Sequence, residues 1–124
     1  MTLIADVAQA LSSRTQLPVI DQQLDLDEAY RLQHQITALV SPDGAAGIKA
    51  GVTAAVMQQH FGLEHALLGT LYAGSVLASG ATLQQVDGLI LECELALLVD
   101  ADGLVLAHAP AIEVVGVRFA RRED

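Results

Sequence analysis

Two glutamates, Glu92 and Glu94, stand one residue apart inside a long apolar run of the chain. Side chains alternate between the two faces of an extended strand, so both glutamates share one face with the apolar Ile90 and Leu98. Residues two apart in a strand are separated by roughly 6.5–7 Å of rise, and over that distance two glutamate side chains can converge on one ion. If this face is buried, the two like charges need compensation, which a divalent cation supplies.

A third carboxylate, Glu113, interrupts a second apolar segment, residues 111–117 (AIEVVGV). Three oxygen ligands match Mg²⁺ or Mn²⁺, which keep open positions for water or substrate oxygens. The alternative is an edge strand with solvated glutamates, because charged residues commonly blunt the edges of sheets. The sequence predicts a metal centre formed by Glu92, Glu94 and Glu113 in an apolar pocket, with Mg²⁺ or Mn²⁺ as the cofactor.

Lys49 is the only lysine of the chain and lies in the segment Gly-Ile-Lys-Ala-Gly, residues 47–51. The small residues around it let a ligand approach the backbone. The alternative is a surface lysine beside a turn. Near a metal-bound anion, the Lys49 ammonium would act as an acid–base group or as a fixed positive charge for a carboxylate. Lys49 is therefore the candidate catalytic residue.

The elements that must position these residues are helical first and extended later. Apolar residues between Leu3 and Leu11 recur with the spacing of an amphipathic helix. A second helix is predicted over residues 26–40, with Asp25 as its N-cap and Glu28 completing a capping box. The next predicted elements are a short extended segment at Ile48–Ala50, a short helix at Thr53–His60 and a strand at Leu67–Ala73. A hairpin at Leu89–Ala107, which turns at Asp100–Gly103, and a last strand at Ile112–Phe119 follow.

This order predicts an α+β fold in a single domain spanning residues 1–124, with a helical part (1–44) and a part of mixed β-sheet with one short helix (45–124). Apolar residues make up 52% of the 124 residues and charged residues 17%, so the chain has enough to bury a core and does not have the composition of a disordered protein.

Charge and cysteine content narrow the function classes. Six basic residues against fifteen acidic ones give a formal charge of −9, which disfavours nucleic acid and anionic membrane surfaces as partners. The single cysteine, Cys93, cannot form an internal disulfide, and the N-terminal segment lacks the features of a secretory signal. A cytoplasmic location is expected. Residues 66–86 contain no Asp, Glu, Lys or Arg, but their glycines and polar residues favour a soluble core over a membrane span.

The order of motifs between about Leu26 and Phe119 resembles one protein family. It is the 2-oxopent-4-enoate hydratase and 4-oxalocrotonate decarboxylase group of the fumarylacetoacetate hydrolase superfamily. The motifs that carry the resemblance are DEAYRLQ, GIKAGVT, VMQQHFGL, LLGTLYA, LECELALLV and PAIEVVGVRF. The resemblance implies that Glu92, Glu94 and Glu113 hold the divalent metal and that Lys49 is the active-site lysine. It also implies the N-terminal half of the fumarylacetoacetate hydrolase-like fold, because members of the family are longer chains.

The chemistry that the resemblance implies is a carbon–oxygen lyase reaction on 2-hydroxydienoic or 2-oxo acids from the catabolism of aromatic compounds. In a hydratase of this group, the metal stabilises the enolate of a substrate such as 2-hydroxypenta-2,4-dienoate, and Lys49 would shuttle a proton while water adds to the alkene. In a decarboxylase, the same enolate stabilisation drives loss of carbon dioxide.

Two further interpretations stay open from the sequence. A non-catalytic remnant would keep part of the fold and the ion, acting as a binding or assembly module whose exposed apolar edges are covered by homo-oligomerisation. The second open interpretation is an ordinary acidic domain without a metal. The expected partners are a small 2-oxo acid and further copies of the chain.

Overall fold

The structure is a computed structural model that describes residues 2–84, 88–116 and 118–119. It divides into two compact units, and each is described by itself. The first contains the described residues up to Ala81 together with Phe119, and the second comprises Thr82–Arg118. The fold is α+β, as predicted. Across the described residues it has three α-helices, one 3₁₀ turn and four strands in two antiparallel sheets.

Two helices open the first unit and pack against each other. Helix α1 spans Leu3–Ser13 and buries its small residues Ala8 and Ala10. Helix α2 spans Leu26–Val40, which confirms the predicted bounds. The amphipathic spacing of apolar residues explains both elements, because each helix presents one stripe to its neighbour.

The capping box at the start of α2 is also confirmed. The Asp25 carboxylate accepts a hydrogen bond from the Glu28 backbone N–H at 2.8 Å, and the Glu28 side chain accepts one from the Asp25 N–H at 3.4 Å. These two bonds satisfy backbone donors that have no partner within the helix.

Replacing this cap is expected to weaken the fold. Asp25→Ala leaves the Glu28 N–H without its acceptor and is expected to lower the free energy of unfolding by about 1 kcal/mol. Urea denaturation followed by far-ultraviolet circular dichroism measures the change. Asp27→Ala is the matched control, since Asp27 lies in the same first turn but makes no capping bond. Equal losses in the two variants would contradict the capping role.

The first unit contains a two-stranded antiparallel sheet of β1 (Ala45–Gly51) and β2 (Leu67–Tyr72). Helix α3, Ala55–Phe61, lies between the two strands in sequence. It ends at Gly62, whose φ of 67° is the left-handed conformation that glycine adopts without strain. The predicted extended segment around Lys49 is therefore a full strand, and its register places Lys49 opposite Gly69.

The second unit is a long β-ribbon. Strand β3 (Leu89–Val99) pairs antiparallel with strand β4 (Val105–Gly116) across a turn at residues 100–104. The Asp100 carboxylate closes this turn by accepting hydrogen bonds from the N–H groups of Asp102 and Leu104. The predicted hairpin is thus present.

The expectation of separate strands before and after Pro110 is wrong. Strand β4 continues through Pro110, which stands opposite Leu95 in the register. The physical reason is that β4 is an edge strand, where the missing N–H of a proline can face away from the partner strand. The predicted end at Phe119 also differs, since β4 ends at Gly116 and residue 117 lies outside the described residues.

The β part differs from the mixed sheet expected from the sequence. In the described residues both pairings are antiparallel, and neither strand of the β1–β2 sheet pairs with a strand of the β3–β4 ribbon. Sequence patterns identify strands, but pairing depends on contacts between distant residues that no local pattern contains.

None of the helices in the described part of the chain has the length and apolar character needed to cross a membrane. The prediction of one domain over residues 1–124 stays a prediction.

Candidate functional site

The three carboxylates of the predicted metal centre come together on one face of the β3–β4 ribbon. The register places Glu92 directly opposite Glu113, and Glu94 follows two residues along the same face, opposite Ala111. One carboxylate oxygen from each residue lies within 4.8 Å of the other two. The alternation of side chains in two paired strands is therefore sufficient to gather the triad Glu92, Glu94 and Glu113.

The burial of this triad differs from the expected apolar pocket. Glu92 and Glu94 are exposed and Glu113 is half-buried. Their apolar neighbours on the same face are open as well, with Ile90 49% and Leu98 61% exposed. The reason is that a two-stranded ribbon has no second layer of its own to cover its faces. The expectation of an apolar pocket around the carboxylates was wrong for the described residues.

The spacing of the triad fits a divalent cation. In an octahedral Mg²⁺ site with metal–oxygen distances of about 2.1 Å, neighbouring ligand oxygens lie about 3 Å apart and opposite ones about 4.2 Å apart. Carboxylate oxygens within 4.8 Å of one another reach that spacing by small side-chain rotations. Like charges directly opposite each other on paired strands destabilise the pairing, so a bound cation would relieve a repulsion that the fold itself creates.

The residues around the triad leave room for a ligand. The same face of the ribbon carries alanines at Ala96, Ala109 and Ala111. Their methyl groups are too short to cover the carboxylates. A cation held by three glutamates would therefore keep coordination positions open to water or to oxygens of a small molecule.

Lys49 lies in the first unit, on strand β1, and is half-buried. Its aliphatic stem runs over Gly69 on the paired strand. A Cβ atom added at Gly69 would lie 2.9 Å from the Lys49 Cγ, which is closer than real Cβ contacts. Glycine at position 69 is thus what allows the lysine side chain to take this course. The three carboxylates belong to the second unit and Lys49 belongs to the first. The structure brings the carboxylates together, and Lys49 is described within its own unit.

Lys49 borders a cavity of about 340 Å³ in the first unit. Helix α2 and the two strands of the first sheet line it mainly with apolar groups. The residues concerned are Leu26, Ala29, Tyr30, Gln33, Lys49, Gly51, Val52, Leu67, Leu68 and Gly69.

Two side chains of α2 close the free edge of strand β2 beside this cavity. The Tyr30 hydroxyl oxygen accepts a hydrogen bond from the Leu68 N–H at 3.0 Å, and the Gln33 amide donates one to the Leu68 carbonyl at 3.1 Å. The pair replaces a neighbouring strand and satisfies backbone groups that an edge would leave open. The sequence analysis contains Tyr30 and Gln33 only within the predicted helix over residues 26–40 and the motif DEAYRLQ, with no role of their own. Their polar ends at i and i+3 were the available signal.

The loop after β1 holds a strained residue at the wall of the cavity. Val52 has a φ of 54°, a left-handed conformation that is unfavourable for a β-branched residue. The Gln58 amide of helix α3 donates a hydrogen bond to the Val52 carbonyl at 3.0 Å and so fixes this backbone conformation. Such strain costs about 1–3 kcal/mol and persists only where the surrounding structure enforces it.

Comparison with models of protein families, with curated proteins and with solved structures returns no match to this chain. The family resemblance of the motifs therefore stays a prediction.

Proposed function

We propose that the chain binds Mg²⁺ or Mn²⁺ through Glu92, Glu94 and Glu113 and acts as a hydratase of 2-hydroxydienoic or 2-oxo acids. The observation that carries the proposal is the gathering of the three carboxylates within 4.8 Å on one ribbon face. The resemblance of the motifs around them supports the finer part: the fumarylacetoacetate hydrolase-like fold, the N-terminal position of this chain in it, and 2-hydroxypenta-2,4-dienoate as a substrate. A cytoplasmic location belongs to the same proposal.

The division of labour among the residues follows from their chemistry. Glu92, Glu94 and Glu113 would hold the cation and leave coordination positions open on the alanine-lined side of the ribbon. A divalent cation supplies Lewis-acid stabilisation of negative charge that develops on substrate oxygens. Lys49 would carry a proton to or from the substrate, because an ammonium group on a half-buried stem is a defined proton donor. A decarboxylase of the same family would use the same residues.

A second candidate function is a non-catalytic cation-binding module. The observation that favours it is the exposure of Glu92 and Glu94, since a catalytic metal centre gains from exclusion of water. In this case the ion would stabilise the ribbon by offsetting the repulsion between Glu92 and Glu113, and no substrate would be turned over.

One titration separates these functions. Mg²⁺ or Mn²⁺ is added to the metal-free protein while thermal unfolding and the ultraviolet absorbance of 2-hydroxypenta-2,4-dienoate are followed. A cation at a hundred times its dissociation constant is expected to stabilise the folded state by about 2.7 kcal/mol. Stabilisation with loss of absorbance supports the hydratase, and stabilisation without turnover supports the module. If neither occurs, both functions are rejected in favour of an acidic domain without metal. Carbon dioxide release from a 2-oxo acid would mark the decarboxylase.

The proposal includes self-association through the second face of the ribbon, opposite the carboxylates. Leu91, Leu95 and Ile112 on this face are 69%, 64% and 68% exposed. A two-stranded ribbon is marginally stable by itself in water, and exposed apolar patches mark interaction surfaces. A second copy of the chain would bury these side chains.

Sedimentation velocity tests this association. The unmodified chain is expected to sediment as a homo-oligomer, and Leu95→Lys is expected to shift it to monomer, because the substitution places a charge in the buried interface. Val19→Lys, at an exposed apolar position of the first unit, is the control and should leave the association unchanged. A monomeric unmodified chain at micromolar concentrations would contradict the proposal.

A further inference from the structure

We propose that pH controls the self-association of the chain through the second face of the ribbon, and that protonation of His108 separates the copies. This inference rests on the self-association included in the proposed function and adds its regulation. Neither a cation nor Lys49 takes part in it. Three features carry it: the different charge of the two ribbon faces, the place of His108 on the uncharged face, and the chemistry of the imidazole.

The two faces of the β3–β4 ribbon differ in charge. The first face carries Glu92, Glu94 and Glu113, so two copies that met through it would bring two sets of three carboxylates together. Among the paired positions of the described ribbon, the second face carries no Asp, Glu, Lys or Arg. Two chains of formal charge −9 repel each other in general, and contact through the second face adds no further like-charge pair.

A second copy is the partner that this uncharged face fits. A symmetric dimer brings the same patch of both subunits together, so the patch must be complementary to itself. An apolar patch without charge meets that condition. A charged partner would find no opposite charge on it.

His108 lies within the apolar second face. The register places it directly opposite Leu97, and its diagonal neighbours on β3 are Leu95 and Val99. Pro110 follows it on the same face of β4. The side chain of His108 is exposed in the single chain. A second copy stacked on this face would therefore bury the imidazole among aliphatic side chains.

The surroundings of His108 in the described ribbon supply no opposite charge. Cys93 is the other titratable residue among the paired positions of the second face, and a free thiol is mostly uncharged at pH 7.5 and below. Beyond the end of β3, the Asp100 carboxylate accepts hydrogen bonds from two backbone N–H groups of the turn. The carboxylates of the triad lie on the first face, and the second copy presents the same uncharged face.

Association favours the uncharged imidazole. Moving a charged group from water into an apolar contact costs far more free energy than moving its neutral form. Histidine is the side chain whose ordinary charge change falls between pH 5 and pH 8. The associated form therefore binds fewer protons than the separate chains do. By linkage, a fall in pH through this range shifts the equilibrium toward separate chains, and a rise in pH restores the association.

Sedimentation velocity of the whole chain at pH 7.5 and pH 5.5 tests the inference, with a chelator present so that no cation contributes. Carboxylates and guanidinium groups ordinarily keep their charge between these pH values, whereas histidines do not. The unmodified chain is expected to be associated at pH 7.5, and its dissociation constant is expected to rise at least about tenfold at pH 5.5. ¹H–¹⁵N spectra at both pH values report whether the fold persists.

Two substitutions separate the charge of His108 from its place on the face. His108→Gln keeps a neutral polar side chain and is expected to stay associated to nearly the same extent at both pH values. His108→Lys is charged at both pH values and is expected to associate at least about tenfold more weakly than the unmodified chain at pH 7.5. His34→Gln is the matched control, because it removes an exposed histidine of the first unit, and it should keep the full pH response.

Three results would each overturn the inference: equal association of the unmodified chain at both pH values, a full pH response in His108→Gln, or undiminished association of His108→Lys. Failure of the self-association itself gives a different result, since the unmodified chain would then sediment as a monomer at both pH values and the inference would fall with it. The cation and hydratase parts of the proposed function are measured in their own titration and do not depend on either outcome.

Discussion

Glu92→Gln is expected to remove the response of the protein to Mg²⁺ and Mn²⁺ and, at the same time, to make the metal-free ribbon slightly more stable. Glu92 stands directly opposite Glu113, so its neutralisation removes a repulsion between paired strands worth about 0.2–1 kcal/mol. The same change takes one of the three charged ligands from the triad. We expect the cation affinity to fall at least a hundredfold, since altering even a residue that only supports a ligand costs 10–100-fold.

The opposite signs of the two effects make this variant informative. Thermal unfolding of the metal-free variant and of the metal-free unmodified protein measures the change in stability. Calorimetric titration with Mg²⁺ measures the change in cation affinity. Glu64→Gln is the matched control, because it removes the same charge at an exposed position outside the triad. If Glu92→Gln kept the full cation response, the triad would not be the metal centre.

Lys49→Met is expected to leave cation binding intact and to lower turnover of 2-hydroxypenta-2,4-dienoate by about 10²–10⁴-fold, the usual contribution of a positioned acid–base group. Methionine keeps most of the length and the apolar surface of the lysine stem, so the packing over Gly69 is retained. The ammonium group and its proton are lost. The measurements are the initial rate of absorbance change at saturating Mg²⁺ and the Mg²⁺-dependent shift in melting temperature.

Arg31→Met is the control for loss of one positive charge from the same acidic chain, and it should leave the rate unchanged. An unaltered rate in Lys49→Met would take the lysine out of the proposed mechanism. A lost cation response in Lys49→Met would instead indicate that the lysine supports the fold on which the metal centre depends.

Local signals made part of this fold predictable. The Asp25 and Glu28 capping residues and the apolar spacing after them gave the bounds of α2, because both act within a few residues of each other. Alternation and the turn at Asp100 gave the hairpin in the same way. The proximity of Glu92 and Glu94 followed from strand geometry alone.

The remaining features depend on contacts between residues that are distant in sequence. Glu113 faces Glu92 because of the register between β3 and β4. The triad is exposed because the β3–β4 ribbon has no second layer of its own to cover this face. The closing of the β2 edge by Tyr30 joins residues nearly forty positions apart, which no short window contains. Strand β4 continues through Pro110 because an edge strand tolerates a residue that a central strand would reject.

The proline within β4 has a consequence for how copies of the chain can join. Pro110 has no backbone N–H to donate to a strand of another copy. Growth of an extended intermolecular sheet is therefore disfavoured along β4, and face-to-face stacking of the leucine side chains is left as the simpler mode of assembly.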